Sequence, residues 1–237
     1  MKNNIKNNFN KAAKIYNQNA ILQKQVASDL IDFCLPYLNN SSKIIDLGSG
    51  TGFLYDLISQ KQQITNFFAL DLANSMLKES KSPFNINADI NHLPLQKESF
   101  NLVISSLALQ WLNDFEKIFK NIQNILSEKG LFCFSIITKN SLNNIKNLKI
   151  NNLNINEFHD KKFLENHLKI FSSYKILEKR ITLKYDNYYE LLQSMKKIGA
   201  GYSIDRKSSL KISDLKKLMK IQDISEDWHI IYVIAER

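Results

Sequence analysis

Apolar positions along the chain change their spacing twice, near residue 43 and again near residue 139. Ile5, Phe9, Ala12, Ala13, Tyr16 and Ala20 recur at helical intervals, and Leu22, Val26, Leu30, Phe33 and Tyr37 form a second stripe. This spacing predicts a helical arm over residues 5–38, interrupted near its end by Pro36. The pattern then switches to short β-type runs, with strands predicted at 43–47, 65–70, 84–88, 100–105 and 131–138. Helices are predicted between them at 51–60, 74–80 and 114–126, the second with Asn74 as its cap. Strands alternating with helices at this spacing imply right-handed βαβ units and a parallel sheet. Runs such as LVIS and FCFSII suit strands buried on both faces. Past Thr138 the stretch 140–156 is rich in Asn and Lys and weakly periodic, as in a loop or a short lid helix. A strand at 174–185, helices at 188–198 and 213–221, and a closing strand at 228–235 complete the reading. With no repeat and no linker, residues 1–237 are expected to form a single α/β domain. Its parts are an arm (1–38), a core (43–138), an insertion with helices (139–225) and a closing strand (226–237).

Composition changes this picture little. The chain has 237 residues, 44% apolar and 23% charged, which is ordinary for a globular protein able to bury a core. Two cysteines and four scattered histidines argue against a disulfide scaffold or a multi-ligand metal cage, so no metal site is assigned. Cys34 and Cys133 read as small buried hydrophobes. No apolar run approaches the ~18 residues that cross a bilayer, and Met1-Lys2-Asn3-Asn4 has no apolar segment behind it, so a cytoplasmic protein is expected. The formal net charge is +9. Lys far outnumbers Arg and Asn is abundant, a bias that an AT-rich genome produces by itself. Whatever its origin, the positive field acts on an acidic partner within about 8 Å at physiological salt.

Chemistry concentrates in the core. Ile45-Asp46-Leu47-Gly48-Ser49-Gly50-Thr51-Gly52 is a strand, a glycine turn and a helix start, and it holds three of the six glycines of the chain. Its G-x-G-x-G spacing brings the third glycine one residue earlier than in the dinucleotide fingerprint, and no phosphate loop of the G-x-x-x-x-G-K-[ST] kind is present. Asp71, in Leu70-Asp71-Leu72, ends the second strand about twenty residues later. A carboxylate there can accept both hydroxyls of a ribose. Asp89, in Ala88-Asp89-Ile90, follows the third strand and can accept from an exocyclic amine.

These motifs resemble the class I S-adenosylmethionine-dependent methyltransferases. More closely, the chain resembles the malonyl-[acyl-carrier protein] O-methyltransferases of biotin synthesis. The matching stretches are FNKAAKIYNQNAILQKQVA (9–27), IIDLGSGTGFL (44–54), LDLANSML (70–77) and ADINHLPLQKESFNLVISSLALQWLND (88–114), with ELLQSMKKIGA (190–200) and YVIAER (232–237). The resemblance implies a Rossmann-like, seven-stranded, mostly parallel sheet of order 3-2-1-4-5-7-6 with the last strand antiparallel. It also implies methyl transfer from S-adenosylmethionine to the free carboxylate of malonyl on acyl carrier protein, or on coenzyme A, masking that carboxylate so that the chain enters elongation as a pimeloyl precursor. The cofactor-binding residues it implies are Asp46, Gly48, Gly50, Gly52, Asp71, Leu72, Asp89, Ile90, Ser105 and Gln23. Tyr16, in an arm that folds over the cofactor in such enzymes, is expected to hydrogen-bond the malonyl group or the methionyl carboxylate. Arg206 follows MKKIGAGYS, where the family places an active-site arginine, and is expected to orient the malonyl carboxylate, with Lys139 and Lys197 as alternatives.

An ionised carboxylate needs no general base, whereas an alcohol or phenol acceptor usually does. Ser105-Ser106-Leu107-Ala108 after the fourth strand lacks the Asn/Asp-Pro-Pro-aromatic tetrapeptide of many amino methyltransferases, which argues against adenine or glutamine N-methylation. An acidic acyl carrier protein suits the positive charge. Rival readings are a small-molecule O-methyltransferase, an RNA methyltransferase suggested by the basic balance but otherwise disfavoured, and a non-enzymatic assembly factor that keeps the pocket.

Overall fold

The computed structural model describes residues 2–38, 42–150, 153–201, 203–204 and 212–237. The predicted arm is two helices, α1 (Lys2–Asn19) and α2 (Ile21–Cys34), followed by a 3-10 turn that contains Pro36. Between them Ala20, fully buried, leaves helical geometry at ψ 55°. Four strands and three helices then alternate: β1 (Ile44–Leu47), α3 (Phe53–Lys61), β2 (Phe67–Asp71), α4 (Asn74–Leu77), β3 (Phe84–Asn87), β4 (Phe100–Ser106) and α5 (Phe115–Ile125). β5 (Leu126–Ile137) is followed by α6 (Asn143–Asn147), α7 (Lys161–Leu168), β6 (Ser173–Asn187), α8 (Tyr188–Lys197), α9 (Ile212–Lys220) and β7 (Gln222–Glu236). Leu153–Asn154 and Ser203–Ile204 pair as a separate two-stranded ribbon.

The seven strands form one sheet of order β3-β2-β1-β4-β5-β7-β6, and β7 runs antiparallel to both of its neighbours. This is the order and sense that the resemblance implied. The central strands separate two cores by simple alternation. Ile44, Leu102, Ile104 and Cys133 face α2, α3, α8 and α9, while Ile45, Val103, Phe132 and Phe134 face α5 and α7. α5 shows why it packs there: Phe115, Ile118, Phe119, Ile122 and Ile125 make one buried stripe, and Asp114 caps it by accepting from Lys117 N–H at 3.0 Å. Both cysteines are buried and free, as their composition suggested.

Three elements differ from the pattern reading. α7 was not anticipated; its signal is short, Asp160 capping the N–H of Phe163 ahead of buried Leu164 and Leu168. β5 begins at Leu126 rather than 131. Leu126 pairs with Phe100 and Leu131 with Leu102, so 127–130 bulge from the ladder, where periodicity is lost. β7 starts at Gln222, six residues before the expected closing strand, because it pairs along the whole of the edge strand β6. That edge is mostly exposed and carries Lys175, Glu178, Lys179, Arg180 and Lys184, charges that discourage further strand addition. Among the described residues no helix is long and apolar enough to cross a membrane.

Candidate active site

The motif residues of the core lie at or just past the C-terminal ends of β1, β2, β3 and β4, the usual crevice of an open α/β sheet. The chain leaves β1 through Gly48, whose N–H donates to Leu70 O at 2.7 Å. A Cβ added at Gly48, where φ is +76°, would sit 2.4 Å from the Ala108 Cβ, so only glycine fits between the turn and the end of β4. Gly50, at φ +56°, has nothing within 4 Å of an added Cβ and presents bare backbone to an open cleft. Gly52 precedes α3 and lies against Ser80.

Asp71 joins this turn to β2. Its Oδ2 accepts from Gly50 N–H at 2.8 Å and its Oδ1 from Ala73 N–H at 2.7 Å. Burial pushes its carboxyl above the usual range, and hydrogen bonds from the Ala73, Gly50 and Leu72 amides pull back the other way. A carboxylate offers about four lone-pair sites, so these amides leave acceptor capacity unused on a residue that lines the cleft.

Asp46 is more isolated. It is 1% exposed, and among the described residues neither carboxylate oxygen has a hydrogen-bond partner. Burial, and after it the charge of Asp71, push its carboxyl well above the ordinary range. A buried ionised carboxylate without a partner is costly, and either a proton or a bound cation offsets that cost. Asp46 lines a small cavity with Tyr16, Gln23, Gly48, Gly50 and Phe53, and the Gln23 Oε1 is also buried and unpartnered. The larger cleft shares Tyr16, Gly48 and Gly50 with it and continues past Asp71, Leu72, Met76, Ile90, Asn91 and Trp111.

α1 roofs this cleft. Asn10 Oδ1 accepts from Ser75 N–H at 2.9 Å, and the Thr51 hydroxyl donates to Asn17 Oδ1, which pins the arm to α4 and to the glycine turn. The Phe9 ring meets Trp111 edge-on at 5.9 Å, and Tyr16 lies against Phe53 at 5.8 Å. Burial, with a contribution from Asp71, raises the Tyr16 hydroxyl far above the usual phenol range, so it stays protonated as a donor. Asn10, Asn17, Phe9 and Asn91 were not singled out in the sequence; polar side chains spaced seven apart on the arm are the signal that points to the first two.

The anticipated residues do not all meet in the cleft. Tyr16, Gly48, Gly50, Asp71, Leu72 and Ile90 line it, and Asp46 and Gln23 line the adjoining small cavity. Asp89 is not among the lining residues; its Oδ1 accepts from the Asn91 N–H and side-chain amide at 3.0 and 2.8 Å, capping the turn that carries Ile90. Ser105 is fully buried and donates to Leu47 O at 2.7 Å, tying β4 to β1. Strand alternation turns Ser106 to the cleft in its place. Arg206 lies outside the described residues, and Lys139 lines a different cavity. Among the described residues no group of three histidine, cysteine or acidic side chains is placed to hold a metal.

The site has the chemistry for a cationic nucleoside: an unpaired buried carboxylate at one end, bare glycine backbone in the middle, and a second carboxylate with spare acceptor capacity beyond. S-adenosylmethionine, with an ammonium, a sulfonium and a ribose, fits that donor set. A family described as a methyltransferase domain matches residues 45–134. A protein of Calditerrivibrio nitroreducens named malonyl-[acyl-carrier protein] O-methyltransferase is 30% identical over 83% of this chain and 79% of its own length. One of the same name from Buchnera aphidicola is 31% identical over 96% of this chain and 91% of its own. Among solved structures, the YcgJ protein of Bacillus subtilis superposes with a TM-score of 0.65 at 12% identity, covering 88% of this chain and 98% of that one, a likeness of fold. The glycine turn, the two strand-end carboxylates and the roofing arm thus belong to an S-adenosylmethionine-dependent class I methyltransferase, and the chain is a member of the malonyl-[acyl-carrier protein] O-methyltransferase family.

Proposed function

We propose that this enzyme methylates the free carboxylate of malonyl carried as a thioester on acyl carrier protein. The observation that carries the reading is the unpaired Asp46 carboxylate under a cleft closed by α1. In this reading Asp46 receives the methionyl ammonium, Gly48 and Gly50 admit the donor against the backbone, and Asp71 accepts the ribose hydroxyls. Leu72 and Ile90 hold the adenine between apolar faces, and Asp89 orients the turn beside its amine. Gly52 and Ser105 hold the turn and strand ends in place, Gln23 closes the methionyl end, and Tyr16 donates to the donor or to malonyl. Arg206 is the cation assigned to the malonyl carboxylate.

The donor supplies a methyl group already activated on a sulfonium. The protein therefore has to hold a carboxylate oxygen in line with that carbon, and such positioning is worth roughly 7–11 kcal/mol. No side chain has to remove a proton, because the acceptor is ionised at neutral pH. That fits Tyr16, whose raised hydroxyl is a donor and not a base. Transfer from a cation to an anion leaves two uncharged groups. The apolar walls supplied by Phe9, Leu72, Met76, Trp111 and Leu112 favour such a neutralisation.

The formal charge of +9 supports steering toward an acidic carrier, in the cytoplasm, and the methyl ester would let the acyl chain enter elongation toward biotin. The test is incubation with radiolabelled methyl donor and malonyl-acyl carrier protein, followed by mass measurement of the carrier. A single ester methyl on malonyl is expected. Donor binding without label on any malonyl thioester would overturn the acceptor.

A further inference from the structure

A second space, open to the surface, is rimmed by ammonium groups. Lys139, Lys146 and Lys149 line a cavity of about 580 Å³ past the end of β5, and Glu157 is the one carboxylate among its described lining residues. The lysines stand on a braced frame. Lys146 Nζ donates to Ser141 O at 2.9 Å and lies 5.5 Å from the Phe158 ring centre. Its helix, α6, is capped by the buried Glu226, which accepts from Ile145 N–H. The Lys139 N–H donates to His159 O at 3.1 Å. Burial lowers the affinity of Lys146 for its proton, and Glu157 and Glu226 act the other way, so an incoming anion would meet a cation that gains from it.

This cavity and the donor cleft are neighbours, separated by walls that a third, smaller space shares. Ile155 and Phe158 line both it and a narrower space walled by Trp111, Met195, Trp228 and Gln23. Trp111 in turn lines the donor cleft, and Gln23 the small cavity over Asp46. Consecutive spaces thus share walls from the methyl donor to the lysines. The described walls of the middle space carry no charge, and their polar side chains are amides and indoles. Walls of this kind suit an uncharged chain with an anion at its far end, provided the side chains between the spaces give way to it.

We propose that Lys139, Lys146 and Lys149 bind the phosphate of a phosphopantetheine arm whose acyl-thioester end runs through the shared space to the donor cleft. The proposal rests on the thioester acceptor proposed above. Acyl carrier protein and coenzyme A both present this phosphate, so the ligand chemistry is common to the two. Ammonium–phosphate contacts of this kind are charge-assisted, and the loss of two is expected to cost roughly tenfold in kcat/KM.

The experiment compares malonyl-phosphopantetheine with malonyl-pantetheine, which lacks the phosphate, and adds malonyl-coenzyme A and malonyl-acyl carrier protein. The wild type is expected to prefer the phosphorylated small thioester about tenfold in KM. The Lys139→Gln/Lys149→Gln double variant is expected to lose that preference, and the Lys139→Arg/Lys149→Arg variant to keep it. Because each ratio is taken within one protein, partial misfolding cancels. Equal use of both small thioesters by the wild type, or an undiminished preference in the glutamine variant, overturns the proposal. A loss confined to the carrier substrate also overturns it, by assigning the lysines to the carrier surface. If the wild type methylates no malonyl thioester while binding S-adenosylmethionine, the acceptor reading itself fails and the proposal falls with it.

Discussion

The proposed donor side and the proposed acceptor side of this enzyme are built from different materials. The donor side is strand ends and backbone: Asp46, Gly48, Gly50 and Asp71 sit where β1 and β2 stop, and their positions follow from the register of a buried parallel sheet. The acceptor side is assembled from segments inserted after β5, among them α6, α8 and the residues around Phe158, held by contacts to β7 such as Asn144 Nδ2 to Ser225 O at 3.0 Å. The first is rigid because the sheet is rigid. The second is placed by loop contacts to β7, such as Leu142 N–H to Asp227 O at 3.0 Å, and by a few buried side chains, among them Ile145, Leu191 and Leu192.

That contrast can be broken at either end. The largest effect is expected on the acceptor side. Arg206→Ala should lower kcat/KM for malonyl-acyl carrier protein by about a thousandfold, as loss of a bidentate ion pair implies, with S-adenosylmethionine affinity retained by calorimetry. Full turnover would return Arg206 to the surface. Asp71→Ala should weaken S-adenosylmethionine by about a hundredfold, since two hydrogen bonds to a charged acceptor are worth roughly 3–6 kcal/mol and some compensation follows. Unchanged affinity would remove the ribose assignment.

Asp46→Asn sharpens the comparison because its two consequences have opposite signs. Donor affinity should fall about tenfold, while the donor-free protein should gain thermal stability, since an unpaired buried charge is removed. The pH dependence has a definite sense. A carboxyl whose folded pKa lies above its unfolded value binds the proton more tightly when folded. Its penalty is therefore absent at pH below the usual aspartate range and grows as pH rises toward the raised folded value. Donor-free wild type should lose stability across that window by thermal melting, and Asp46→Asn should flatten that part of the profile. A steeper slope in the variant would rule out Asp46 as its source. The smallest effect is salt. Turnover of the carrier-bound substrate should fall several-fold more than that of malonyl-coenzyme A between low and physiological ionic strength. Parallel falls would argue against electrostatic docking of a carrier.

The same contrast decides what could be read before the fold was known. The glycine turn and Asp71 were legible, because a buried parallel strand leaves a continuous apolar run and its ending leaves glycines and a carboxylate, whereas the strand order came from the family resemblance. Ser105 and Ser106 were not separable, since a one-residue step in a strand exchanges faces, and only the register in the sheet tells which serine is buried. Asp89 carried a recognisable position, but its bonds to Asn91 depend on a local turn that no periodicity encodes. α7 and the lysine cavity were illegible for a third reason. Their segments gain order from packing against α5 and β7, so their own pattern is weak.

Ala20 has a mechanical consequence. The roof over the cleft is a single helix, α1, which ends at this buried alanine and is tied down at Asn10 and Asn17. The enclosure of the cleft thus depends on one residue's ψ angle and on two asparagine side chains that hold the helix against α4 and the glycine turn.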